Sequence, residues 1–176
     1  MRRLVFLCSA LVTAVVPSPA AAGELFGGLY VHDVKLPTDL SGIEPGADVM
    51  LGYRGGTIAK PFGGLLQPYV FGALNTAGET NYAAAGLSAK FGLGGSIFIR
   101  PGLGLAIQSG SASRHVRTDR IAFGSRVLFE PELGIGTQIN NRLSVEASWV
   151  HMSHATLFSH ENPGIDNLGV RLTLGL

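Results

Sequence analysis

The C-terminal stretch from Asp166 to Leu176 alternates without a break. Leu168, Val170, Leu172, Leu174 and Leu176 take one parity, and Gly169, Arg171, Thr173 and Gly175 take the other. A period of two places each set on one face of an extended strand. The same pattern recurs upstream. Leu143, Val145, Ala147 and Trp149 alternate with Ser144, Glu146 and Ser148, and Val127, Phe129, Leu133 and Ile135 with Arg126, Glu130, Glu132, Gly134 and Gly136. Ile97, Ile99, Leu103, Leu105 and Ile107 alternate with Ser96, Arg100, Gly102, Gly104 and Gln108, and Ala83, Ala85, Leu87 and Phe91 with Tyr82, Gly86, Ser88 and Lys90. Looser alternation covers the segments near 24–33, 46–55 and 65–75. No capped stripe of helical period occurs after the first two dozen positions. The pattern predicts an all-β chain of eight strands, each roughly nine to fourteen residues long.

Composition narrows what such a chain builds. Of 176 residues 46% are apolar, only 14% are charged and 25 are Gly, whereas an average soluble domain is about 25% charged and about 7% Gly. Intrinsic disorder is excluded by the apolar content. One Cys excludes a disulfide framework, and a net charge of +1 gives no electrostatic case for nucleic acid. The first segment is read as an export signal. Arg2 and Arg3 precede an apolar run from Leu4 to Val16, and Ala20-Ala21-Ala22 offers a small-residue cleavage site. The expected organisation is a signal peptide over 1–22 and one barrel domain over 23–176.

A soluble, lipocalin-like barrel points its apolar face inward and carries its charges outside. Here one face is nearly uncharged while the other mixes Gly, Ser and ionisable residues. With export, that reads as an eight-stranded antiparallel transmembrane β-barrel with apolar side chains toward lipid. Closure removes the unpaired backbone edges that lipid does not tolerate. Arg100, Arg126, Arg171, Glu130, Glu132 and Glu146 are expected to fill the lumen with the glycines. Turns on the periplasmic side are expected at 56–64, 93–95 and 139–142, and external loops at 34–45, 76–79, 109–123 and 154–165. The third external loop is basic, with Arg114, His115, Arg117 and Arg120 against Asp119. It suits lipopolysaccharide phosphates or plain solvation equally.

Parity also singles out a site. His151 and Ser153 share the odd-numbered face of the seventh strand with Leu143, Val145, Ala147 and Trp149, the face assigned to lipid. Asp166 shares the lipid-facing parity of the eighth strand with Leu168, Val170 and Leu172. Imidazole and carboxylate groups on such a wall are costly unless they pair. A hydroxyl, an imidazole and a carboxylate in that relation supply nucleophile, base and orienter for ester hydrolysis, with Ser153 attacking, His151 moving the proton and Asp166 holding His151. Backbone amides after Ser153 or the Asn162 side chain are expected to meet the oxyanion. Other readings stay open at this point: His and Ser two apart arise often by chance, and a non-enzymatic small barrel has no need of a site. A metal centre on His151, His154 and His160 matches no common ligand spacing, so no metal and no cofactor are expected. His32 and His115 read as ordinary lumen and loop residues.

The stretch Val150-His151-Met152-Ser153-His154-Ala155, followed by Asn162-Pro163-Gly164-Ile165-Asp166-Asn167-Leu168-Gly169, resembles the PagL family of lipid A 3-O-deacylases. The resemblance implies an eight-stranded outer-membrane barrel that hydrolyses the acyl ester at position 3 of lipid A, with lipopolysaccharide of the outer leaflet as its partner. It places the family's base on His151, its nucleophile on Ser153 and its acid on Asp166. Asn162 falls on the Asn of the turn before the last strand. Two positions depart from the family pattern: His154 stands where Asn is usual, and Asp166 where Glu is usual. His154 is accordingly carried with Asn162 as a residue for oxyanion or substrate. Glu161 is the alternative acid if the shorter Asp166 does not reach His151.

Overall fold

A computed structural model describes residues 23–35, 42–113, 120–157 and 163–176. The alternating segments form eight strands: β1 (Glu24–Val31), β2 (Ala47–Arg54), β3 (Leu65–Asn75), β4 (Tyr82–Gly94), β5 (Ile97–Gln108), β6 (Val127–Gln138), β7 (Leu143–Met152) and β8 (Ile165–Gly175). Each pairs antiparallel with the next, and β1 pairs with β8, so the sheet closes into a barrel with no free edge. β4 and β6 are followed by tight turns, while the link after β2 holds a short 3-10 turn at Pro61–Gly63. The longer links after β1, β5 and β7 all leave from the opposite end, called here the long-loop end. The expected signal segment, 1–22, lies outside the described residues.

Parity decides which way each side chain points. Leu29, Leu51, Leu74, Leu103 and Ile107 stand exposed on the outer wall, whereas Phe26, Tyr30, Met50, Phe71 and Phe98 are buried inside. Hydrophobic burial therefore does not drive this fold as it does a water-soluble one, because the outer wall is satisfied only by an apolar solvent. Inside, aromatic rings and an ion-pair network share the space. Arg171 Nη2 lies 2.7 Å from Glu132 Oε2 and its Nη1 lies 3.2 Å from Glu146 Oε1. Arg54 and Arg100 also reach Glu146, both at 3.5 Å, and the Arg54 guanidinium rests 4.2 Å from the centre of the Phe26 ring. Room for these large groups comes from glycine. A Cβ on Gly102 would sit 2.6 Å from Glu132 Cγ, so any larger residue there displaces the carboxylate.

One expected lumen residue is not inside. Arg126 precedes the start of β6, where parity no longer faces a closed wall. It is exposed at the long-loop end, and its Nη1 donates to the carbonyl oxygens of Gln108 and Gly110. Arg54 and Glu24 supply the charges in its place; Glu24 Oε2 lies 3.4 Å from Arg100 Nη2.

The long-loop end is closed by a second polar cluster, which the sequence reading passed over as ordinary. His32 places Nδ1 2.9 Å from Asp48 Oδ2 and Nε2 3.3 Å from Glu44 Oε2. Burial opposes a charge on this ring, but hydrogen bonds to Asp48 and Glu44 outweigh it and push its pKa up to about 9. Glu44 accepts backbone N–H bonds from Thr80 and Ile121, which ties three loops together. The cluster extends to β8. Tyr82 donates to Asp48, Asn167 Nδ2 donates to Tyr82 Oη, and Asp33 N donates to Asn167 Oδ1. Next to it, Val34 N donates to Asp166 O at 2.7 Å. The loop after β1 is thereby fastened to the first turn of β8.

Candidate active site

β7 and β8 form a hairpin in which His151 lies directly opposite Asp166. Antiparallel neighbours in such a pair share a face, so the parity that placed both on the outer wall also brings them together. His151 Nδ1 is 3.0 Å from Asp166 Oδ1. The imidazole remains 18% exposed while the carboxylate is fully covered. A buried carboxylate acts as acceptor, so the contact assigns the proton to Nδ1 and leaves Nε2 as the basic nitrogen.

Two further residues hold this pair. Trp149, two positions before His151 and on the same face, donates its indole N–H to Asp166 Oδ1 at 2.6 Å. Its ring lies nearly parallel to the imidazole, with centroids 5.8 Å apart and planes 29° apart. Gly164 also lies against the ring: an added Cβ there would sit 2.5 Å from His151 Cε1 and 3.1 Å from Nε2. Neither residue was singled out for the site by the sequence reading. For Trp149 the signal was present, because i and i+2 share a face and the face was already assigned.

Ser153 follows the last residue of β7 and is 9% exposed. Its backbone continues the pairing with β6: Phe129 N donates to Ser153 O at 2.7 Å and Ser153 N donates to Phe129 O at 3.1 Å. Among the described residues its hydroxyl makes no hydrogen bond to His151. Nucleophile–base contacts in substrate-free sites are often loose and tighten on binding. His154 is fully buried, so its ring presents no surface to a substrate on the wall. Ala155 and Thr156 come next, both in the left-handed region with φ of 50° and 59°. For a β-branched residue such as Thr156 this conformation is strained, and strain of this kind gathers at functional turns. Asn162 and Glu161 lie outside the described residues, as do His160 and the basic stretch from Arg114 to Asp119.

Below the His151–Asp166 pair the outer wall is grooved. Ile99, Leu133, Ile135, Ala147, Trp149 and Leu168 line a depression of about 390 Å³. A second one, also about 390 Å³, continues from Ile135 and Ala147 toward Ile97, Val145 and Val170. Ala147 is the small residue between larger neighbours that makes the gap.

The family model described as lipid A 3-O-deacylase (PagL) matches residues 46–174. Among solved structures, the crystal structure of the outer membrane enzyme PagL superposes with a TM-score of 0.61 at 21% identity, covering 87% of this chain and 99% of that one. A de novo designed transmembrane β-barrel gives a TM-score of 0.56 at 8% identity, covering 92% of this chain and 100% of its own. Neisserial surface protein A gives 0.55 at 11% identity, covering 88% and 97%. These likenesses bear on the fold. None of the curated proteins matches the chain.

Proposed function

The chain belongs to the lipid A 3-O-deacylase (PagL) family and is an outer-membrane β-barrel, and from that premise we propose that it is a serine esterase removing the 3-O-linked acyl chain of lipid A. In this reading Ser153 is the nucleophile, His151 the general base and Asp166 the orienting acid. The observation that carries it is the 3.0 Å contact between His151 Nδ1 and Asp166 Oδ1 on the outward face of the wall. Ionisable side chains on the lipid side of a barrel are costly, and where they occur they mark a functional site.

The chemistry follows from the tautomer. With Nδ1–H donated to Asp166, Nε2 accepts the Ser153 hydroxyl proton as Oγ bonds to the ester carbonyl carbon. The oxyanion is met by backbone amides after Ser153 or by the Asn162 side chain. Collapse breaks the bond to the sugar oxygen, which takes the proton from Nε2. Water then attacks the acyl-serine, its proton passing to Nε2; collapse breaks the bond between the acyl carbon and Ser153 Oγ, Oγ takes the proton back from Nε2, and the fatty acid leaves. No cofactor enters. The grooved wall below the pair supports an acyl chain lying along β6 and β7. Full burial supports a structural role for His154 rather than contact with substrate. Residues 1–22 are proposed as the export signal and 23–176 as the catalytic barrel.

Mass spectrometry of lipid A from cells with and without the protein tests the assignment. The wild type should release the position-3 acyl chain, and Ser153→Ala should lower the rate at least about thousandfold while heat-modifiable migration still reports a folded barrel. Unchanged lipid A in a membrane holding a 3-O-acylated substrate returns the chain to the non-enzymatic barrel. Asp166→Asn set beside Glu161→Gln decides the acid, and a larger loss from the second moves that role to Glu161.

A further inference from the structure

Trp149 is the one Trp of the chain, and it touches both partners of the His151–Asp166 pair. Its indole nitrogen is 2.6 Å from Asp166 Oδ1, the same oxygen that His151 Nδ1 meets at 3.0 Å. Its ring face lies along the imidazole. Across the hairpin it stands opposite Leu168, two pairs below His151 and Asp166 and on the same face. An aspartate side chain turns freely about its last bond, and a single donor leaves it a choice of oxygen and angle. Two donors converging on one oxygen from the same wall remove that choice. The indole nitrogen donates only and accepts nothing, so it favours the ionised carboxylate. The electron-rich ring face also favours a cation beside it, and His151 is a cation only after it has taken the serine proton.

We propose that Trp149 is a positioning residue for ester hydrolysis. Its N–H locks the Asp166 carboxylate toward His151, and its ring face steadies the imidazolium that forms in the transition state. This rests on the esterase reading only for its kinetic consequence, because the hydrogen bond and the stacking exist without substrate.

Trp149→Phe keeps a ring face and removes the N–H. On 3-O-acylated lipid A in detergent micelles, kcat should fall about ten- to a hundredfold with KM moving less than about twofold, since the contact acts on the base rather than on the acyl chain. A purely structural Trp149 predicts lower heat resistance with kcat unchanged. The second measurement needs neither substrate nor a Trp149 variant. With the tyrosines left unexcited, indole emission comes from this residue alone, so it should report the imidazole and carboxylate that the ring touches. Emission intensity should change in His151→Asn, which removes the stacked ring, and emission wavelength should shift in Asp166→Asn, which removes the carboxylate charge at the indole N–H. An unchanged kcat in folded Trp149→Phe overturns the proposal, as does emission that is the same in the wild type and both variants. A wild type that leaves lipid A intact while its emission responds to both variants overturns the esterase assignment instead, and the coupling of Trp149 to the pair stands.

Discussion

Among its described residues the barrel carries two histidine–carboxylate clusters near the same end, and they are built differently. His32 sits inside the mouth with its side chain wholly buried, and both ring nitrogens face carboxylates, Asp48 and Glu44. His151 sits on the outer wall, partly exposed, with only Nδ1 engaged among the described residues. An imidazole bound at both nitrogens has no site left from which to take or give a proton to a third group. It becomes a fixed cation that fastens loops. An imidazole bound at one nitrogen is oriented yet free at the other, which is what a base requires. Residue type and partner type are the same in the two clusters. The count of occupied nitrogens and the side of the wall separate strut from base.

Exchanging the loss exposes this difference most sharply. His32→Leu leaves Glu44 and Asp48 as buried carboxylates with no cation between them, and breaking a buried pair from one side costs about 3–5 kcal/mol. The expected result is a barrel that unfolds at much lower denaturant concentration. His151→Asn leaves Asp166 with its Trp149 donor and should cost about 1 kcal/mol or less, while abolishing acyl release. Denaturant titration monitored by heat-modifiable migration, run beside lipid A mass spectrometry, should show the two effects crossing. A His32 variant that is stable but inactive would falsify the division of roles.

Gly164 sharpens the outer cluster further. An alanine Cβ at that position would press on His151 Cε1, and the neighbour that must move is the proposed base. Turning an imidazole away by about an ångström costs about a hundredfold in rate. Gly164→Ala should therefore lower kcat by that order, with the denaturant midpoint close to wild type. Equal activity in the folded variant would show that His151 has slack the geometry does not suggest.

How much of this was legible beforehand follows from the range over which each signal acts. Strand count and closure were readable because alternation from Leu168 to Leu176 and its counterparts is local. The His151–Asp166 contact was readable because parity needs only the position of each residue within its own strand. Arg126 was misplaced because parity was carried past the end of β6, where the closed wall that gives it meaning stops. The His32 cluster left no periodic trace: it joins residues of β2, β4 and β8 with three loops, and only closure brings them together. Trp149 fell between the cases. Its face was known, but its hydrogen bond depends on which residue of β8 stands opposite His151, and the register supplies that.

Because both nitrogens of His32 hold carboxylates, pH should act first on the mouth. Its folded pKa, about 9, is raised above the ordinary value of 6.5. The stability it adds is complete below about 6.5 and is lost as pH rises through about 9. Glu44 is shifted the other way: burial raises it, but hydrogen bonds from His32 and Thr80 dominate and lower it below 4.5. Its contribution is present above about 4.5 and fades as pH falls through its folded value. Limited proteolysis across pH should thus find the long loops best protected between those edges. Above pH 9 cleavage should rise in the wild type and not in His32→Lys, whose charge persists to higher pH. Cleavage independent of pH would mean that the loops are held without the His32 charge.

The smallest effect compares two left-handed residues, one in each region. Asp33 has φ of 51°, but its carboxylate accepts N–H bonds from Ile43 and Glu44 at 2.6 and 2.9 Å. Thr156, at φ of 59°, has a hydroxyl that among the described residues reaches only the adjacent Ala155 carbonyl. The strain in the mouth is therefore offset by bonds that the residue itself makes, and the strain beside Ser153 is not. Glycine relieves the backbone in both places, with opposite net results. Asp33→Gly should lower stability by about 1–2 kcal/mol through the two lost hydrogen bonds. Thr156→Gly should raise it by about 0.5 kcal/mol, because relief of the left-handed penalty slightly exceeds the added freedom of the unfolded chain. If the strain next to Ser153 serves catalysis, Thr156→Gly should also slow acyl release, pairing a gain in denaturant midpoint with a loss in kcat.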